Sequence, residues 1–188
     1  MAATKASRET FINSVIRFMG KYNFDGLDID WEYPGASDRG GRDVDFKNFP
    51  DLLSELRNAF NRLGGYILTI ASPMSNWYLK NFDLERIHPS LDFINVMSYD
   101  IHGVWDAYIA SLGPHVKSHT DIREIELGIT MFIKNGVPSH KLNMGVGSYG
   151  RSYTLKNPSC TTPGCDFTGP GKEGPCTKGA GTLALFEI

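Results

Sequence analysis

The residues able to do chemistry gather in one stretch, Phe24-Asp25-Gly26-Leu27-Asp28-Ile29-Asp30-Trp31-Glu32-Tyr33-Pro34. Asp28, Asp30 and Glu32 recur at two-residue spacing, with Leu27, Ile29 and Trp31 between them. On a β-strand, residues i, i+2 and i+4 share a face, so the three acids point one way and their apolar partners the other. Crowded carboxylates oppose one another's ionisation, and such an arrangement suits a site that works through shifted pKa values. Asp and Glu are poor strand formers. The competing reading is therefore a solvated loop or a calcium-type acidic turn. It explains Gly26 and the acids but neither the apolar alternation nor Trp31 and Tyr33.

The flanking elements decide where that stretch sits. Ser7 is expected to cap a helix with Glu9 in its first turn. Phe11, Ile12, Val15, Ile16, Phe18 and Met19 then recur at helical spacing and lead into the acidic strand. Beyond Pro34 lies a glycine-rich loop, residues 35–41. A second amphipathic helix follows, from Phe46 to Leu63, in which Pro50 implies a kink or a start later than Asp43. Tyr66–Ala71 reads as a buried parallel strand, and 72–78 as an aromatic-bearing loop. Residues 82–91 form a short helical connector, and 93–100 another strand with a polar, aromatic end. A long loop carries His102, Trp105 and Tyr108. Thr120 and Asp121 open a third helix that Gly136 stops. Residues 141–147 are the fourth strand, leading to Ser148-Tyr149-Gly150-Arg151. From Thr154 to Gly181 no period is legible.

Helix and strand thus alternate in the grammar of an α/β protein. Polar and aromatic residues collect at the strands' C-terminal ends, where (β/α)8 barrels place their active sites. Four strands are about half of such a barrel, which usually takes about 250 residues. An open flavodoxin-like sheet is the alternative, but no glycine-rich phosphate loop opens a helix.

With 188 residues the chain can bury a sizeable core. A net charge of −2 without a basic patch argues against nucleic acid and anionic membranes as partners. No apolar run approaches the roughly 18 residues needed to span a bilayer. The first residues show no secretory apolar stretch. Cys160, Cys165 and Cys176 sit in a loop-rich, disulfide-type context; the odd count leaves one thiol over. Zinc binding by Cys160 and Cys165 lacks a nearby third and fourth ligand. His102, His115 and His119 invite a metal reading, but loop histidines are usually solvated, and no metal or cofactor is expected.

Four motifs together carry a resemblance. Asp25-Gly26-Leu27-Asp28-Ile29-Asp30-Trp31-Glu32 resembles the DGxDxDxE signature of family 18 glycoside hydrolases, the chitinases and their relatives. Met97-Ser98-Tyr99-Asp100 looks like the family's sixth-strand motif. Tyr149-Gly150-Arg151 resembles its seventh-strand motif, with Val146 where a methionine is often found. The tail from Cys160 through Cys165 and Cys176 to Glu187-Ile188 is similar to the cysteine-bearing insertion of the fungal-type branch. The resemblance implies an incomplete (β/α)8 TIM barrel, roughly strands four to seven, over residues 1–153. Residues 154–188 would begin the insertion, and Cys176 would have its partner beyond the chain.

The implied activity is retaining, substrate-assisted hydrolysis of β-1,4-linked N-acetylglucosamine, an exception to the two-carboxylate scheme. Glu32 would be the general acid and then the base. Asp30 would hold the acetamido N–H, and Asp28 would sit behind it. Tyr99 would hydrogen-bond the acetamido oxygen, Asp100 would contact the sugar, and Met97 would floor the N-acetyl group. Tyr149, Arg151 and Tyr33 would make further contacts, with Trp105 and Trp77 stacking on pyranose rings. The partner is chitin or its oligosaccharides, the expected location is extracellular, and the isolated half barrel should be weakly active at best. Three rivals stand beside this reading: a non-catalytic chitin-binding lectin, an endo-β-N-acetylglucosaminidase, and a truncated product that never folds.

Overall fold

The computed structural model describes residues 1–187; Ile188, the last residue of the tail resemblance, lies outside them. By Cα packing the chain forms two compact units, one of Met1–Met97 with Leu127–Met144, the other of Ser98–Glu126 with Gly145 onward.

The first unit opens with α1, Lys5–Tyr22. Its cap is Thr4, not Ser7. The Thr4 hydroxyl accepts from the Ser7 N–H at 3.1 Å, and the Ser7 hydroxyl accepts from the Thr4 N–H at 3.1 Å. Ser7 therefore sits in the third helical position and completes a reciprocal capping box. Only Ile12 and Met19 of the expected apolar face are buried, while Phe18 is 55% exposed. Arg8 ties α1 to the next helix by a paired contact to Glu55, 2.7 and 3.0 Å. Asn23, in the left-handed region at φ 57°, ends α1.

Strand β1, Gly26–Ile29, is followed by α2, Asp45–Arg62. Pro50 lies inside α2, and the helix begins at Asp45, later than Asp43. Phe49, Leu52, Leu53, Leu56 and Phe60 on α2 are essentially inaccessible to solvent. They recur at helical spacing and supply much of the core. Strand β2 is Ile67–Pro73, after which short helices α3, Asn76–Leu79, and α4, Leu84–Ile87, lead to β3, Phe93–Met97. Helix α5, Ile122–Lys134, precedes β4, Leu142–Met144. The four strands are parallel, in the order β1-β2-β3-β4. Leu68, Ile70, Ile94 and Val96 in β2 and β3 are at most 1% exposed, as befits a sheet covered by helices. Strand β4 is shorter than residues 141–147, and Met144 and Val146 remain exposed.

The second unit holds the structure that the tail's composition hid. Strand β5, Tyr149–Arg151, pairs antiparallel with β8, Thr182–Ala184. Strand β6, Tyr153–Leu155, pairs antiparallel with β7, Phe167–Pro170. Cys160 and Cys165 form a disulfide, which settles the zinc alternative against those two thiols, and Cys176 is a free, exposed thiol. Among the described residues no helix is long and apolar enough to cross a membrane.

Candidate active site

In the first unit the three acids do not share one strand. The ladder with β2 ends at Ile29, so only Asp28 lies within β1. Alternation nevertheless persists. Ile29 is buried, and the Trp31 ring meets Phe49 edge-on at 5.3 Å, which in turn meets Phe82 at 5.8 Å. Asp28, Asp30 and Glu32 stay on the solvent side. The Glu32–Tyr33 peptide bond is cis. Asp45, 3% exposed at the start of α2, accepts from the Arg42 N–H at 2.7 Å and the Gly35 N–H at 3.4 Å, fixing the glycine-rich loop. A cavity of about 580 Å³ is lined by the three acids with Trp31, Arg42 and Asp45, and equally by Met1, Ala2, Phe11, Leu27, Ile29 and Gly40.

The cluster's electrostatics fall chiefly on Asp30. Burial first, then the charges of Glu32 and Asp28, hold its carboxyl above the ordinary value. Burial, followed by the charge of Glu32 and a hydrogen bond to it, likewise holds the Tyr33 phenol high. Tyr33 stacks on Tyr78 at 4.2 Å, whose hydroxyl donates to Asp38 at 2.9 Å. Asp28 is differently placed. It accepts from the Thr69 hydroxyl and from the Asn95 amide at 3.0 Å, while the Asn95 oxygen accepts from the Asn143 amide at 3.3 Å. One polar line thus crosses all four parallel strands. Thr69, Asn95, Asn143 and Asp45 escaped the sequence reading. Their signal was polar residues inside three otherwise apolar strands, and an acid in the first turn of α2. Met97 ends β3 half-buried, opposite Pro73 of β2, and Trp77 is 67% exposed.

The second unit gathers Tyr99, Asp100, Trp105, Tyr149 and Arg151. Arg151 Nε and Nη2 each reach one oxygen of Asp100 at 2.7 Å, a fork-on-fork pair. Burial opposes ionisation of Asp100, yet the hydrogen bonds of Arg151 and Tyr149 outweigh it and leave its carboxyl below the ordinary value. Burial and the bond to Asp100 raise the Tyr149 phenol. Tyr99 meets Tyr149 edge-on at 6.3 Å, and the Arg151 guanidinium lies 4.7 Å from the Trp105 ring centre. Gly147 leaves room for Tyr99, Tyr149 and His119, all of which an added Cβ would touch at 3.3 Å.

Two histidines are not the solvated loop residues expected. His119 Nδ1 accepts from the Asp100 N–H at 3.2 Å, and Nε2 sits 3.1 Å from the Tyr149 carbonyl, so these partners assign the proton to Nε2. His102, 3% exposed, lies between Asp106 and Glu124. Only His115 is half-exposed, 2.9 Å from Asp166. Loop polar groups of this kind are taken up because buried donors and acceptors must be paired.

Comparison with known proteins fixes the family. Residues 1–188 match the model for glycosyl hydrolases family 18, and the chain belongs to that family. It is 41% identical to an endochitinase of Manduca sexta over 199 residues, covering 100% of the chain and 36% of that protein. The Ostrinia furnacalis group IV chitinase, solved with allosamidin, superposes with a TM-score of 0.86 at 34% identity, covering 100% of the chain and 52% of the solved one. Human YKL-39, described as a pseudo-chitinase with retained chitooligosaccharide binding, gives 0.83 at 32% identity over 100% and 53% of the two chains. The chain therefore spans about half the length of the structures it matches.

Proposed function

We propose that this chain carries the acid of a chitinase and hydrolyses β-1,4-N-acetylglucosaminide bonds by a retaining, substrate-assisted route. The observation that carries the reading is Glu32 at the end of the Asp28–Asp30–Glu32 series, on the wall of an open cavity. Glu32 protonates the glycosidic oxygen and then takes a proton from water. The substrate's acetamido oxygen is the nucleophile at the anomeric carbon. Asp30 accepts the acetamido N–H, with Asp28 behind it and sharing its proton. Tyr33 buttresses Glu32.

In the same reading Tyr99 donates to the acetamido oxygen, Asp100 contacts the sugar and Met97 floors the N-acetyl group. Tyr149, Arg151 and Trp105 bind further along the oligosaccharide. The strands β1–β4 correspond to strands four to seven of a (β/α)8 barrel, residues 154–188 to the opening of an insertion, and the working location is extracellular. The test is release of chromophore from a chromogenic chitobioside by the chain and by Glu32→Gln. The substitution is expected to remove whatever turnover exists, about 10²–10⁴-fold for loss of a general acid, with oligosaccharide affinity kept. Turnover that survives in Glu32→Gln overturns the assignment.

A second reading is favoured by one observation, the likeness to a pseudo-chitinase that retains oligosaccharide binding. In that case the chain binds chitooligosaccharides without cleaving them. Glu32 speaks for the enzymatic reading. Titration of chitotetraose by calorimetry, beside the turnover assay, separates the two.

A further inference from the structure

His102 belongs to no part of the mechanism above, yet few groups in the chain are held so closely. Its side chain is 3% exposed, with Nδ1 2.6 Å from Asp106 and Nε2 2.9 Å from Glu124 of α5. Asp106 is itself 1% exposed, and its second oxygen, Oδ1, is buried without a hydrogen-bond partner. A buried carboxylate is strongly disfavoured unless paired. The imidazole of His102 is the partner Asp106 has, and Glu124 steadies the far side of the ring.

That contact closes a short loop of chain. His102 and Asp106 flank Gly103 and Trp105, and the Asp106 N–H donates to the Gly103 carbonyl at 3.1 Å. The indole of Trp105 lies against Gly103 so closely that no Cβ fits there. The same indole lies 4.7 Å from the Arg151 guanidinium, which grips both oxygens of Asp100. The links therefore run from α5 through His102 and Asp106 to Trp105, and on to the Asp100–Arg151 pair.

We propose that His102 is a positioning residue: by bridging Asp106 and Glu124 it holds the 102–106 turn closed and seats Trp105 against Arg151. The inference rests on the reading of Asp100 and Arg151 as oligosaccharide contacts. His102 touches no sugar; it acts through Trp105. A turn released at His102 lets the indole leave Gly103, and the guanidinium then loses its support and its fixed angle to Asp100.

The experiment uses the full chain with four substitutions: His102→Leu, His102→Asn, Glu124→Ala and Trp105→Phe. The Trp105→Phe difference defines the near-ultraviolet circular dichroism of Trp105. Thermal melts report folding, and calorimetric titration of chitotetraose reports binding. His102→Leu fills the same space without a donor and is expected to lose the Trp105 signal and weaken binding by about tenfold. His102→Asn, whose amide stands where Nδ1 stood, is expected to restore most of both. Should His102→Leu fail to fold, Glu124→Ala serves, since that half-exposed side chain sits on a helix surface. It is expected to melt cooperatively with a reduced Trp105 signal. Overturning results are an unchanged Trp105 signal in the folded leucine or alanine variant, or asparagine no better than leucine. If the parent chain binds no chitotetraose, the oligosaccharide reading fails, while the Trp105 signal still decides the clamp.

Discussion

Asp30 and Asp100 are both acids in candidate sites, and their surroundings push them in opposite directions. Burial and two like charges raise Asp30; a forked arginine overcomes burial and lowers Asp100. The sign of each effect on folding follows. A carboxyl raised in the folded state stabilises below its unfolded value and loses that contribution as pH climbs through the folded one. Asp30→Asn is therefore expected to raise Tm at pH 7 and to change it little at pH 3. Because Asp30 is largely exposed, solvent screening keeps the gain under ~1 kcal/mol, about 1–3 °C for a chain of this size. Thermal melts at the two pH values check it; a lower Tm at pH 7 contradicts the assigned strain. Such a gain with lost turnover is what a site selected for chemistry rather than stability shows.

At the scale of elements, Gly26 sets the seat of the acidic segment. An added Cβ would strike the backbone of Ile67, its partner across the β1–β2 ladder. Gly26→Ala is expected to cost about 1–3 kcal/mol through overpacking and to lower Tm by several degrees, with Glu32-dependent turnover falling as β1 shifts. Melting and turnover measured together check it. The parallel strands and α2 were legible because apolar residues in them recur at fixed period and number enough to define a core. The acids' shared face was legible, while their place on the strand held for Asp28 alone. Alternation predicts which way side chains point, but not where a ladder of backbone hydrogen bonds stops. Ser7 and Thr4 show a related limit: both are good caps, and only the reciprocal bonds decide which one begins α1. The pairings of β5 with β8 and β6 with β7 join three- and four-residue segments distant in sequence, too short to carry a period. The polar line through Thr69, Asn95 and Asn143 was hidden because a polar residue in a strand becomes meaningful only once its neighbours on other strands are known.

Across the whole molecule, acid acts on individual carboxylates in opposite directions. In the second unit, Glu187 accepts from the backbone N–H groups of Cys176, Thr177 and Ala184 at 2.8–3.0 Å. Those bonds, with Ala184 and Thr177 foremost, hold its carboxyl down to about 2 against an ordinary 4.5. Together with Asp100 it lends stability that is complete above the unfolded values and fades as pH falls through the folded ones. Glu187→Gln is expected to lower Tm at pH 6 and to match the parent near pH 2, as thermal melts over that range will report. In the first unit Asp30 works the other way, gaining on acidification. Asp100 and the backbone clasp of Glu187 are thus acid-sensitive contributions of the second unit, as Asp92, which the Leu68 N–H and Arg57 hold low against burial, is of the first.

The polar line through Asp28 has a consequence for how this chain can change over generations. Thr69 and Asn95 both deliver hydrogens to one carboxylate, and Asn143 delivers one to Asn95. Replacing any one by an apolar residue takes a hydrogen-bond partner from the next in line. Positions 28, 69, 95 and 143 are thus expected to vary together. Among aligned relatives their substitutions should be correlated, and independent drift at Asn143 while Asn95 stays fixed would speak against the link. Four residues on four strands, 115 positions apart from first to last by number, form one hydrogen-bonded line.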